Sequence, residues 1–174
     1  YYQKKMMKSE MSAWLSQGGE STIKSLGDCD NFKCEHLKYL ESARLYYVLD
    51  DSKIFAHGGI PPKMFILEKA QEYQFTWDRD LISKASSRRE SETVDDRWDE
   101  IYVGHTPIVN FKIKELMPQK WANLWAMDTS SCYKGLISLM DIDTKEVFQS
   151  DECCKLYPDH AGRNKESYNQ LNNK

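Results

Sequence analysis

The stretch "KIFAHGGIPP", Lys53 to Pro62, decides the fold. Ile54-Phe55-Ala56 read as a short buried strand that ends on His57. Two glycines and two prolines then turn the chain away sharply. Upstream, "RLYYVLDD" supplies a partner strand, with Asp50-Asp51-Ser52 as the turn between the two. Downstream, "EIYVGHTP" repeats the pattern: Ile101-Tyr102-Val103-Gly104 runs into His105, followed by Thr106 and Pro107. "WANLWAMDT", residues 121–129, is a third candidate strand and ends near Asp128. "GLISLMDIDTKEVFQS", residues 135–150, reads as a hairpin. Leu136, Leu139 and Ile142 lie on one arm, Val147 and Phe148 on the other, and Asp143-Thr144-Lys145 form the bend.

Around these strands the apolar period is helical, which makes the chain an α/β protein. Residues 1–16 place Met6, Met7, Met11, Trp14 and Leu15 near the helical repeat, with Gly18-Gly19 as the expected stop. A short helix is expected over 20–26, ending at Gly27. Another is expected through about Ala43, capped by Asp30 or Asn31, with Phe32, Leu37 and Leu40 inward. A polar insert, roughly 63–99, separates the two histidine strands. Within it, "TWDRDLISKASSRRE" predicts a helix from near Asp78. From Tyr157 the chain is polar, and a disordered or surface-draped tail is expected.

The chain has 174 residues, 40% of them apolar, and a net charge of −3. That length suits one domain with a real core. The charge gives no reason to expect nucleic acid or a membrane surface as partner, and no apolar run approaches the roughly 20 residues of a bilayer span. The five cysteines are Cys29, Cys34, Cys132, Cys153 and Cys154. An odd count with an adjacent pair reads as reduced thiols and a cytoplasmic location.

Two imidazoles, each closing a strand on a tight turn, are candidates to converge on one cation at the strand ends. Neutral imidazole binds zinc, manganese or iron. The alternative for each is a hydrogen-bonded core histidine, and two histidines do not complete a coordination shell. His36 and His160 stand in no comparable setting. Arg79, between Asp78 and Asp80 at a helix start, offers a planar fork of donors suited to phosphate oxygens; the alternative is a surface ion pair with either aspartate. Asp128 is open to three roles: ligand, orienter of a ligand, or hydrogen-bond acceptor for its own turn. Cys29, Cys34 and His36 match no standard zinc spacing. Cys132 has no histidine arranged with it.

Taken in order, "HGGI", "WDR", "VGHTP" and "MDT" resemble the second half of the calcineurin-like metallophosphoesterases. They are most similar to the bacterial and phage serine/threonine protein phosphatases of the PPP type. "WLSQGGESTIKSLG" and "FQSD…LYP…GR" extend the likeness on either side. The resemblance implies a two-sheet β-sandwich flanked by helices (α/β/β/α), carried by residues 1–156, with 157–174 as the polar tail. It implies His57 and His105 as ligands of the second ion of a two-metal centre of Mn, Fe or Zn. It implies Arg79 as the phosphate contact, with Trp77 also matching, and Asp128 and Thr106 as supporting residues. Where the family has Asp-Thr-Gly, this chain has Asp128-Thr129-Ser130.

The family's Gly-Asp-x-His-Gly, Gly-Asp-x-x-Asp-Arg-Gly and Gly-Asn-His-Glu/Asp motifs do not occur in the sequence. The chain opens on Tyr1 inside what reads as a helix. The expectation is therefore the C-terminal part of such a domain, with its N-terminal part missing and little activity of its own. The implied function of the complete protein is metal-dependent hydrolysis of a phosphoprotein or small phosphoester. The alternatives are a dinucleoside polyphosphate hydrolase, or a noncatalytic binding module that kept the scaffold.

Overall fold

The computed structural model describes residues 8–26, 35–63, 66–133 and 135–158. They belong to two compact units, Tyr1–Arg44 and Leu45–Lys174. The expected caps at Asp30 and Asn31, the pair Cys29 and Cys34, and most of the polar tail lie outside the described residues.

The first unit is helical: α1 (Lys8–Trp14), a π-helical turn (Leu15–Gly19), α2 (Glu20–Leu26) and α3 (Glu35–Glu41). The expected stop at Gly18-Gly19 does not occur. The backbone stays right-handed through to Glu20 (φ −61°, ψ −42°). A side chain at position 19 would meet the Trp14 ring at 2.4 Å. The glycine accommodates an indole where a helix end was expected.

The second unit is an α/β structure with a five-stranded mixed sheet and a separate two-stranded sheet. The strands are β1 (Tyr46–Leu49), β2 (Lys53–Ala56), β3 (Glu100–Val103), β4 (Gln119–Trp121) and β5 (Leu124–Ala126), followed by β6 (Ser138–Met140) and β7 (Val147–Gln149). The large sheet runs β1-β2-β3-β5-β4. The three central strands β2, β3 and β5 run parallel to one another, and the edge strands β1 and β4 pair antiparallel to β2 and β5. The β1–β2 turn is the expected one. Asp50 and Asp51 both have positive φ (50° and 52°), and Ser52 N–H donates to Leu49 O to close the three-residue loop. The third candidate strand is instead a hairpin, broken at Ala122-Asn123, where Ala122 takes φ 53°. Apolar patterning alone could not reveal that break, because Ala122 is itself apolar and buried.

Period-2 alternation divides the sheet into two faces. On one face Ile54, Ile101, Val103, Leu124 and Ala126 form the core, with Ile60 and Ile108 from the loops beyond the strands. Two helices of the insert cover this face: α4 (Glu72–Thr76) and α5 (Asp80–Ser86). Ile82 and Ala85 of α5 are fully buried there, and Phe75 of α4 stacks on Tyr46 at 4.9 Å. On the other face, register lines up Tyr47, Phe55, Tyr102, Trp125 and Lys120 across all five strands. Phe55 and Tyr102 stack at 4.6 Å.

The insert is fastened at its far end. Asn123, 8% exposed, accepts from Val94 N–H and donates to the carbonyls of Asp95 and Trp98. Arg97 forms a two-pronged pair with Asp95 and donates to Pro61 O, at the end of the His57 loop. No helix among the described residues is long and apolar enough to cross a membrane.

Candidate active site

Three neighbouring parallel strands end at the same edge of the sheet, and each delivers one candidate residue. His57 follows β2 by one position. His105 follows β3 by two. Asp128 follows β5 by two. Hydrogen bonds hold the three loops together beyond the strands: Gly104 N–H donates to His57 O, Met127 N–H to Val103 O, and Ile108 N–H to Asp128 O. Parallel pairing therefore converts two similar sequence endings into spatial neighbours.

The His57 and His105 rings lie 5.0 Å apart between centroids, inclined by 58°. Two imidazoles that share an ion, each with its nitrogen ~2.0–2.1 Å away, place their ring centres about that far apart. The observed separation of the rings matches that spacing. Among the described residues no group of three or more His, Cys, Asp or Glu gathers into a metal cluster.

His105 sits at φ 61°, and Thr106 N–H donates to Gly104 O at 2.6 Å across it. This is the less common, strained form of the three-residue turn. Left-handed backbone at a non-glycine residue costs on the order of 1–3 kcal/mol and persists where the surroundings over-determine it. The imidazole is partly shielded, whereas the His57 side chain is exposed.

Trp77 completes the immediate surroundings. Its indole meets the His105 ring at 5.1 Å and 81°, edge to face. The segment that carries it lies directly on the His57 loop because Gly58 has no side chain. A Cβ there would fall 2.7 Å from Thr76 C and 2.8 Å from Trp77 N. Gly58 N–H also donates to Phe75 O at 2.5 Å. The glycine after His57 therefore serves to admit the Thr76–Asp78 backbone. Gly104 is under no such constraint, with its nearest contact at an ordinary 3.6 Å.

Arg79 is the residue preceding α5. It is exposed, and none of the ion pairs among the described residues includes it. Asp78 instead accepts from Asp80 N–H at 3.0 Å. The expected helix thus begins two residues after Asp78, with the Asp78 carboxylate turned to its own backbone.

Asp128 accepts from Ser130 N–H at 2.9 Å, the turn-forming role among the three open to it. Ser130 is fully buried with φ 69°. It therefore keeps the left-handed conformation natural to a glycine in that place. The loop closes tightly: Tyr133 and Gly135 N–H both donate to Ser130 O, and a Cβ on Gly135 would stand 2.1 Å from Thr129 O. Thr129 Oγ1 donates to Leu136 O at 2.6 Å. Thr106 is 4% exposed, and its Oγ1 has no hydrogen-bond partner among the described residues.

The sequence singled out His57, His105, Arg79, Asp128 and Thr106. Ring and backbone contacts bring His57, His105 and the Asp128 backbone together. Trp77 had no local signal beyond its place beside Arg79, and the contact that matters comes from a crossing segment. The chain matches no known protein-family model and no curated protein.

Proposed function

We propose that this chain carries the phosphate-facing half of a metal-dependent phosphoester hydrolase, with phosphoserine or phosphothreonine in proteins as the substrate class. The observation that supports it most is the 5.0 Å approach of two strand-terminal imidazoles. In this reading the two sheets and flanking helices are part of a metallophosphoesterase-type sandwich. His57 and His105 hold one divalent ion. Arg79 offers its guanidinium fork to phosphoryl oxygens, and Asp128 shapes the loop behind the histidines. When bound, a pair of divalent ions lowers the pKa of a shared water and steadies the phosphoryl oxygens under in-line attack.

Two neutral imidazoles fall short of the four to six ligands a divalent ion takes. The reading therefore expects weak Mn2+ binding by these residues alone. It expects full activity only when segments bearing the family's other three motifs are supplied. The test is hydrolysis of p-nitrophenyl phosphate and of a phosphoserine peptide by the protein with those segments, in the presence of Mn2+. His57→Ala and His105→Ala should each lower the rate by at least about 100-fold. Unchanged rates would remove the metal assignment. Preference for a dinucleoside polyphosphate over the peptide would move the substrate class.

A further inference from the structure

We propose that Trp77 is a positioning residue: its indole holds the His105 imidazole in the orientation from which it shares an ion with His57. The sharing of an ion rests on the phosphoesterase reading; the holding of the ring does not.

Three observations carry this. First, the contact is specific. The two rings meet edge to face at 5.1 Å and 81°, within the range favoured by aromatic quadrupoles. Second, His105 needs an external hold. It stands at the centre of a strained turn at φ 61°, a backbone state that neighbours must maintain. Third, the indole is anchored to the loop of the other histidine. Trp77 N–H donates to Tyr73 O at 2.9 Å, and Gly58 N–H donates to Phe75 O. Gly58 lets the Thr76–Trp77 backbone rest on the loop that begins at His57. One segment therefore packs on the loop of one histidine through its backbone and on the ring of the other through its side chain.

Trp77 is 48% exposed and takes no part in the core cluster, so the ring is not there to fill the interior. A large aromatic left half in solvent against a candidate ligand acts as an outer support. Losing an edge-to-face contact of this kind corresponds to a change of roughly 2–10-fold in affinity.

The experiment uses the 174-residue chain, its Trp77→Ala and Trp77→Phe variants, and Tyr73→Ala as an exposed control on the same helix. Two readouts are taken: nuclear Overhauser contacts between the His57 and His105 rings, and Mn2+ affinity by calorimetry. The wild type and W77F should keep the inter-ring contacts. W77A should lose them and bind Mn2+ roughly 2–10-fold more weakly, while Y73A changes neither. If W77A fails to fold, Trp77→Leu, which keeps apolar volume without a ring, replaces it and should behave as W77A was expected to. Inter-ring contacts that survive in W77A or W77L overturn the positioning role. A wild type that shows the contacts but takes up no Mn2+ overturns the metal half alone.

Discussion

At the scale of single residues, backbone sign matters as much as side-chain chemistry. His105 and Ser130 both occupy left-handed φ, and both lie in loops that close parallel strands. At Ser130 the conformation is the one glycine adopts freely. Its Oγ receives only a long bond, from Val109 N–H at 3.4 Å. Ser130→Gly should therefore leave the loop path unchanged and alter stability by no more than about 1 kcal/mol, with gain favoured. Ser130→Val adds a branched side chain at a fully buried positive-φ site and should cost more than about 2 kcal/mol. Urea unfolding of the two variants checks the contrast. The imidazoles themselves were legible in the sequence, because a histidine followed at once by glycines or by Thr-Pro marks a strand end. The sign of φ at His105 was not, since nothing local requires it.

At the scale of elements, the insert between β2 and β3 is more ordered than its charge suggested. Its first half forms α4 and α5 against the core. Its second half has little regular structure and is held by side chains instead. Asn123, at the β4–β5 turn, satisfies three backbone groups of residues 94–98 at once. Asn123→Ala leaves those groups without their partner in a mostly buried setting. It should cost about 2–4 kcal/mol, read as a lower denaturant midpoint with unchanged slope. Asn123 carried no sequence signal, because the reading of residues 121–129 as one strand placed it inside that strand. The β6–β7 hairpin was legible through its Asp143-Thr144-Lys145 bend. Yet Leu139 and Phe148, which pair across it, are 70% and 56% exposed. Alternation shows that two residues share a face, but not whether anything covers that face.

At the scale of the whole second unit, a lysine of the small hairpin reaches the outer face of the large sheet. Lys145, at φ 62° in the hairpin turn, stands 2.7 Å from both the Glu100 carboxylate and the Tyr102 hydroxyl. It also lies over the Tyr102 and Trp125 rings. Burial pushes the Glu100 pKa up, but hydrogen bonds from Lys145, Tyr102 and Trp125 outweigh that and hold it below the ordinary 4.5. A carboxylate with a depressed folded pKa confers stability above its unfolded pKa and loses it as pH falls through the folded one. Stability should therefore decline as pH drops below 4.5, and Lys145→Met should flatten that part of the decline. Urea midpoints on either side of that pH test it. Tyr102 is pushed the other way, chiefly by burial and then by Glu100, so its neutral form is favoured. The sequence by itself determined β1, β2, β3 and the β6–β7 hairpin, the first turn and the two terminal histidines, because hydrophobic alternation and turn chemistry act over a few residues. Only the tertiary structure decided that β2, β3 and β5 run parallel side by side, that Trp77 crosses onto His105, and that Lys145 reaches the aromatic face. Those outcomes depend on which distant surfaces bury one another, and no short stretch of the chain encodes that choice alone.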